Sequence, residues 1–155
     1  MSIFELAARQ ARSNAEAELA RQYGLTVRVT GFDHAVTDHL WEKQEKGFHW
    51  PEIISAPFGP ARLDIAIWVE DELVALAVAV GHGPATIIRH LEANPHSSVL
   101  KGQRFWAALE VTANFVTSLG KSEIWWHPSS PEFLNFCVQT IGAKQVGAQC
   151  KFIVP

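Results

Sequence analysis

Cysteine is scarce. Cys137 and Cys150 are the only two, too few for a disulfide scaffold or a cysteine-built zinc site, so a reducing cytoplasm is the default compartment. Long apolar runs are missing. The longest, Leu73 to Val80, has eight residues, whereas a membrane-spanning helix needs about 20. The N-terminus, MSIFELAARQARSNAEAE, carries acids early and lacks the apolar core of a signal peptide. A basic excess is also absent: 13 Lys plus Arg against 16 Asp plus Glu give a formal charge of −3, which argues against a general nucleic-acid binder. The seven histidines show no metal-ligand spacing, since His34 and His39 miss the helical i, i+4 match, and no metal site is expected. Tyrosine occurs once, at Tyr23, against six Trp and nine Phe. What remains is a 155-residue chain that is 48% apolar and 19% charged, long enough to bury roughly 70% of its extended surface as one core.

Ser2 and Glu5 have capping-box spacing, and Ile3 to Tyr23 is built from good helix formers ended by Gly24. Ser13 and Glu16 repeat the spacing, so one helix or two short ones fit. Leu25 to Thr30 alternates and reads as a strand. Asp33 can N-cap a helix to about Lys46, with Val36, Leu40 and Trp41 on its apolar side. Gly47 to Pro60, with three prolines and two glycines, reads as a loop with room for one helical turn. Leu63 to Val69 and Leu73 to Val80 form a predicted hairpin about Glu70-Asp71-Glu72, its second strand central in a sheet. Thr86 to Glu92 is a further strand, and Gly102 to Leu119 a strong helix closed by Gly120. Glu123 to His127 is a short strand. Ser130-Pro131 opens a helix to about Ile141, and Val146 to Val154 is a closing strand with a break at Gly147. The class is mixed α/β (α+β).

Three apparent motifs lack their context. Gly81-His82-Gly83 leads into a strand, not a helix, so it is no dinucleotide loop. His90-Leu91-Glu92 matches the H-x-E of zinc deaminases without a P-C-x-x-C partner. Ser98-Val99-Leu100-Lys101 spells S-x-x-K without the companion motifs of serine acylases.

The ordered set of elements from Leu25 onward resembles the GNAT N-acetyltransferase superfamily. The charged turn Glu70-Asp71-Glu72, the strand ending His90-Leu91-Glu92 followed by Lys101-Gly102 and a long helix, and the ending TSLGKSEIWWHP…FLNFCVQTIGAKQV carry the likeness. The resemblance implies a GNAT-like mixed sheet flanked by helices over 25–155, with 1–24 as an N-terminal helical extension. It implies acetyl-CoA, or another acyl-CoA, as cofactor. Its pyrophosphate would rest on the loop opening the long helix, here Val99, Leu100, Lys101, Gly102, Gln103 and Arg104. Free N–H groups and the helix dipole suit an anion there. The family's Q/R-x-x-G-x-G/A pattern keeps Gly102 but has Val99 in its leading place and Arg104 in its closing place.

The resemblance further implies that the strand ending at Glu92 and the strand Glu123 to His127 splay to admit the acyl group. Glu92 then stands where relatives carry a general base. The family's acid, a Tyr four residues before the closing Gly, falls on Val138, and Ala143 replaces the closing aromatic; His127 is the substitute proton donor. His49, Trp50, His90 and Trp126 are the candidate acceptor contacts, with Phe48-His49-Trp50 in the acceptor-binding segment. The expected activity is a cytoplasmic acyl-CoA-dependent transfer of acetyl to a primary amine of a small molecule or protein, with no membrane role. The alternative is a GNAT-shaped chain that has lost transfer chemistry and works as a binding module, its alanine-rich first helix a docking or homodimer element.

Overall fold

A computed structural model describes Met1–Pro155. Helix α1 (Ile3–Tyr23) is one unbroken helix. The Ser2 hydroxyl caps it by accepting from the Glu5 N–H at 3.1 Å. Gly24, at φ 65°, closes it in the left-handed conformation that a side chain would strain. The second capping box is not used, because the Glu16 carboxylate instead accepts the Val29 N–H at 3.0 Å. That bond ties α1 to strand β1 (Val27–Thr30). Ala7, Ala8, Ala11, Ala15 and Leu19 are buried in the main core, so the thin alanine face lets α1 pack closely.

The remaining elements are α2 (His34–Asp38), α3 (Trp50–Ser55), β2 (Arg62–Val69), β3 (Glu72–His82), β4 (Ala85–Ala93), α4 (Arg104–Ser118), β5 (Glu123–Trp126), α5 (Pro131–Phe136), β6 (Lys144–Val146) and β7 (Gln149–Ile153). Seven strands form one sheet in the order β1-β2-β3-β4-β5-β7-β6. Only β4 and β5 run parallel; the other neighbours are antiparallel. No helix is long and apolar enough to cross a membrane.

Alternation along β2 and β3 sends side chains to both faces. On one face Ile65, Ile67, Ala77 and Ile88 meet α1 and α4 through Ala11, Val111 and Phe115. On the other, Ala66, Trp68, Leu76 and Val78 lie under 36–53, which contributes Val36, Trp41, Trp50 and Ile53. Both faces of β3 are therefore covered, which is why its sequence is continuously apolar. Burying a side chain such as Phe115 is worth about 2–3 kcal/mol.

Two helices depart from the sequence expectation. The helix capped by Asp33 ends at Asp38 rather than near Lys46. Beyond it, Trp41 and the Phe48 backbone donate hydrogen bonds to β4, which an unbroken helix would not permit. The helix expected to reach Ile141 is α-helical to Phe136 and then π-helical over Cys137–Ile141. Gly142, at φ 82°, ends it with its N–H on the Cys137 carbonyl. The closing segment is a hairpin turning at Gly147, φ 61°.

Candidate active site

Strands β4 and β5 pair only from Ala85↔Glu123 to Ile88↔Trp126. Past that point β5 ends, while β4 runs on to Ala93 bonded to β3 alone. The register between β3 and β4 shifts here: Ala79 opposes Ile88 and Val78 opposes His90, leaving Arg89 as the extra residue of a bulge. A bulge bends its strand and re-aims the following side chains. The result is a gap between β4 and β5, with the last residues of β4 projecting to its two sides.

To one side, Leu91 and Ala93 line a cleft of about 860 Å3 with Asn94–Ser98, Lys101, Gly102 and Arg104. Phe105, Phe133 and Phe136 supply its aromatic wall; Phe105 and Phe133 meet edge to face at 5.0 Å. The polar end is the start of α4. Gln103 precedes the helix without a side-chain cap, and the N–H groups of Gly102, Arg104, Phe105 and Trp106 have no partner in the chain. Unpaired donors on the positive end of a 15-residue helix make a setting for phosphate. Gly102 has φ 82° and open space where a Cβ would stand, so nothing covers the backbone there.

To the other side lie His90 and Glu92. The Glu92 carboxylate accepts three N–H donors: Trp41 Nε1 at 2.6 Å and Trp50 Nε1 at 3.0 Å on Oε1, and the Phe48 N–H at 3.0 Å on Oε2. It therefore clasps the 41–50 segment onto β4. Gly47 makes the clasp possible, since a Cβ there would stand 2.5 Å from Glu92 Oε2. A carboxylate has about four acceptor sites, so three engaged donors leave one open. His90 packs edge to face on Phe48 at 4.8 Å and near Phe58 at 5.8 Å. Its Nδ1 is buried without a partner. Burial, then the charges of Arg89 and Arg62, hold its pKa below the ordinary histidine value, which favours the neutral imidazole.

Among the other sequence candidates, Lys101, Gly102 and Arg104 line the cleft, whereas Val99 and Leu100 pack against the main core. Gln103 is exposed and accepts from the Tyr23 hydroxyl at 3.4 Å. His49 is exposed, its Nδ1 3.5 Å from Glu52. Trp50 and Trp126 are 1% and 2% exposed. Trp126 donates its indole N–H to Cys137 Sγ at 3.3 Å and packs on Phe105, so it backs the cleft wall, whereas Trp50 is held by Glu92 and packs on Phe32 and Phe48. His127 is exposed just past the end of β5, its Nδ1 3.1 Å from the Pro128 carbonyl. The two thiols are buried, and burial pushes Cys150 up to about 11 and Cys137 upward as well, so neither is an activated nucleophile. Sequence reasoning missed Trp41 and Gly47 as partners of Glu92, and Phe105, Phe133 and Phe136 as the cleft wall. The surplus of phenylalanine was the only available signal for that wall.

No protein-family model and no curated protein matches this chain. Solved structures do. The ribosomal-protein-S18-alanine N-acetyltransferase from Escherichia coli superposes with a TM-score of 0.64 over 83% of this chain and 94% of its own, at 9% identity. A tandem GNAT protein from the clavulanic acid biosynthesis pathway gives 0.56 over 78% of this chain and 45% of its own, at 10% identity. An aminoglycoside 6'-N-acetyltransferase complexed with coenzyme A gives 0.51 over 80% and 93%, at 18% identity. This chain has the GNAT fold. The sheet of this chain is mixed because β4 and β5 run parallel, and the cleft described above lies along β4 past the point where their pairing ends.

Proposed function

We propose that this protein is an acyl-CoA-dependent N-acyltransferase that moves an acetyl group from acetyl-CoA to a primary amine of a small molecule or protein. The observation that carries this reading is the set of unpaired N–H groups at the start of α4, opening on a cleft of about 860 Å3 beside the parted strands. The donor set fits a diphosphate, and the aromatic wall of Phe105, Phe133 and Phe136 fits the methyl and methylene groups of the pantetheine arm that follows it. Bound there, acetyl-CoA supplies an activated acyl thioester. The backbone of β4 beyond Ile88 lacks a β5 partner and so has donors free for a developing oxyanion.

The amine approaches from the opposite side of β4. Glu92 uses its one remaining acceptor site to orient it, directly or through a water. His90, held neutral, takes the proton. His127 donates to the leaving thiolate in place of the tyrosine that Val138 displaces. The half-buried rings of Phe32, Phe48 and Phe58 on that side favour an apolar or aromatic amine. Calorimetric titration with CoA tests the reading. Binding is expected, and Gly102→Glu should weaken it at least ~100-fold, because a side chain at φ 82° strains the loop by roughly 1–2 kcal/mol and its charge repels phosphate. Absence of binding by the unaltered chain refutes the reading. Binding without thiol release across a panel of primary amines would favour the alternative of a GNAT-fold binding module, which the substitution at Val138 supports.

A further inference from the structure

Arg104 occupies the place where the resembling family carries a glycine or alanine, and it is 8% exposed. Its guanidinium turns back under the loop that precedes α4. Nε donates to the Val99 carbonyl at 2.9 Å, Nη1 to Asn94 at 3.1 Å and Nη2 to Ser97 at 2.6 Å. Three carbonyls of one loop thus converge on one buried cation. Peptide planarity makes the consequence specific: a trans peptide points its N–H opposite to its C=O. Holding the Ser97 and Val99 carbonyls inward therefore turns the Ser98 and Leu100 N–H groups away from the guanidinium. Neither of those N–H groups has a partner in the chain. The loop also holds Leu100 at φ 56°, a conformation that a leucine seldom keeps without outside restraint.

We infer that Arg104 is a positioning residue for the diphosphate of the acyl-CoA: it folds the 94–103 loop into its binding shape beforehand and adds positive charge from behind. This rests on the acyl-CoA reading given above. It also explains how the loop dispenses with a small residue at 104, since the side chain leaves the binding face and enters the loop's own interior. Lysine cannot substitute, because one ammonium nitrogen does not span three separated carbonyls as the planar guanidinium does.

The test uses the full chain with Arg104→Lys, and Lys101→Ala as a control for exposed charge. CoA and pantetheine, which lacks the diphosphate, are titrated calorimetrically at 0.05 and 0.5 M NaCl. Arg104→Lys should weaken CoA binding at least ~10-fold at both salt concentrations and leave pantetheine unchanged. Lys101→Ala should cost a few-fold at low salt only, because exposed charge is screened. Amide exchange of 97–103 in the unliganded protein should quicken in Arg104→Lys and not in Lys101→Ala. If Arg104→Lys binds CoA as the unaltered chain does, or loses CoA and pantetheine equally, the inference is overturned while the acyl-CoA reading stands. If the unaltered chain binds no CoA, both fall. Should Arg104→Lys fail to fold, Arg104→Gln carries the same comparison, and failure of both to fold overturns a positioning role in favour of a purely structural one.

Discussion

Replacing Glu92 by alanine removes, in one step, the acceptor of three N–H groups. Two of these belong to the indoles of Trp41 and Trp50, residues 8% and 1% exposed and so largely shielded from water. Each orphaned donor costs about 1–3 kcal/mol. The Phe48 amide is on a half-buried residue and is partly recovered by solvent. The expected loss is therefore roughly 3–5 kcal/mol, or about 6–20 °C in melting temperature at this chain length. Glutamine behaves differently. Both indoles donate to the same oxygen, Oε1, so a glutamine carbonyl oxygen placed there keeps both. Its amide nitrogen then faces the Phe48 N–H and loses only that bond, at about 1–2 kcal/mol. Urea unfolding measures the global cost, and amide exchange over 41–50 reports local release of the segment. The clasp is refuted if alanine costs under about 1 kcal/mol with no faster exchange in 41–50, or if glutamine costs as much as alanine.

Two further outcomes are expected. Gly47→Ala should destabilise by about 1–3 kcal/mol through overpacking against Glu92 Oε2, and a double-mutant cycle should show most of that cost vanishing in the Glu92→Ala background; simple additivity would contradict the close approach. His90 has a lowered pKa because of burial and the Arg89 and Arg62 charges, so between that value and about 6.5 the unfolded chain binds more protons than the folded one. Its contribution is present above about pH 6.5 and is lost as pH falls through the folded value. His90→Gln should flatten this slope in a urea series from pH 7.5 to 5, and an unchanged slope would assign the pH dependence elsewhere.

Local chemistry made much of the fold legible. Ser2 and Gly24 bound α1, the Glu70-Asp71-Glu72 turn set the β2–β3 hairpin, and Ser130 with Pro131 opened α5. Each of these rests on contacts within a few residues, where propensity and capping dominate. The misreadings occur where a distant partner outweighs a local preference. Val36 and Leu40 have helical spacing, yet the indole of the adjacent Trp41 meets a carboxylate 51 residues away, and the helix stops at Asp38. The π-helical turn at Cys137–Ile141 likewise has no sequence signature of its own.

The candidate site divides in the same way. The start of α4, Gly102 and the end of β4 could be located along the chain because glycine, helix onset and strand alternation are local signals. What each charged side chain does there could not. Arg104 looks like a phosphate contact in sequence and lies against three carbonyls in the structure; Glu92 looks like a free base and holds three N–H donors. The sequence determined which elements form and in what order, since that depends on hydrophobic period and turn chemistry. Only the tertiary structure decided which polar groups remain unpaired, because pairing depends on donors and acceptors brought together from distant segments.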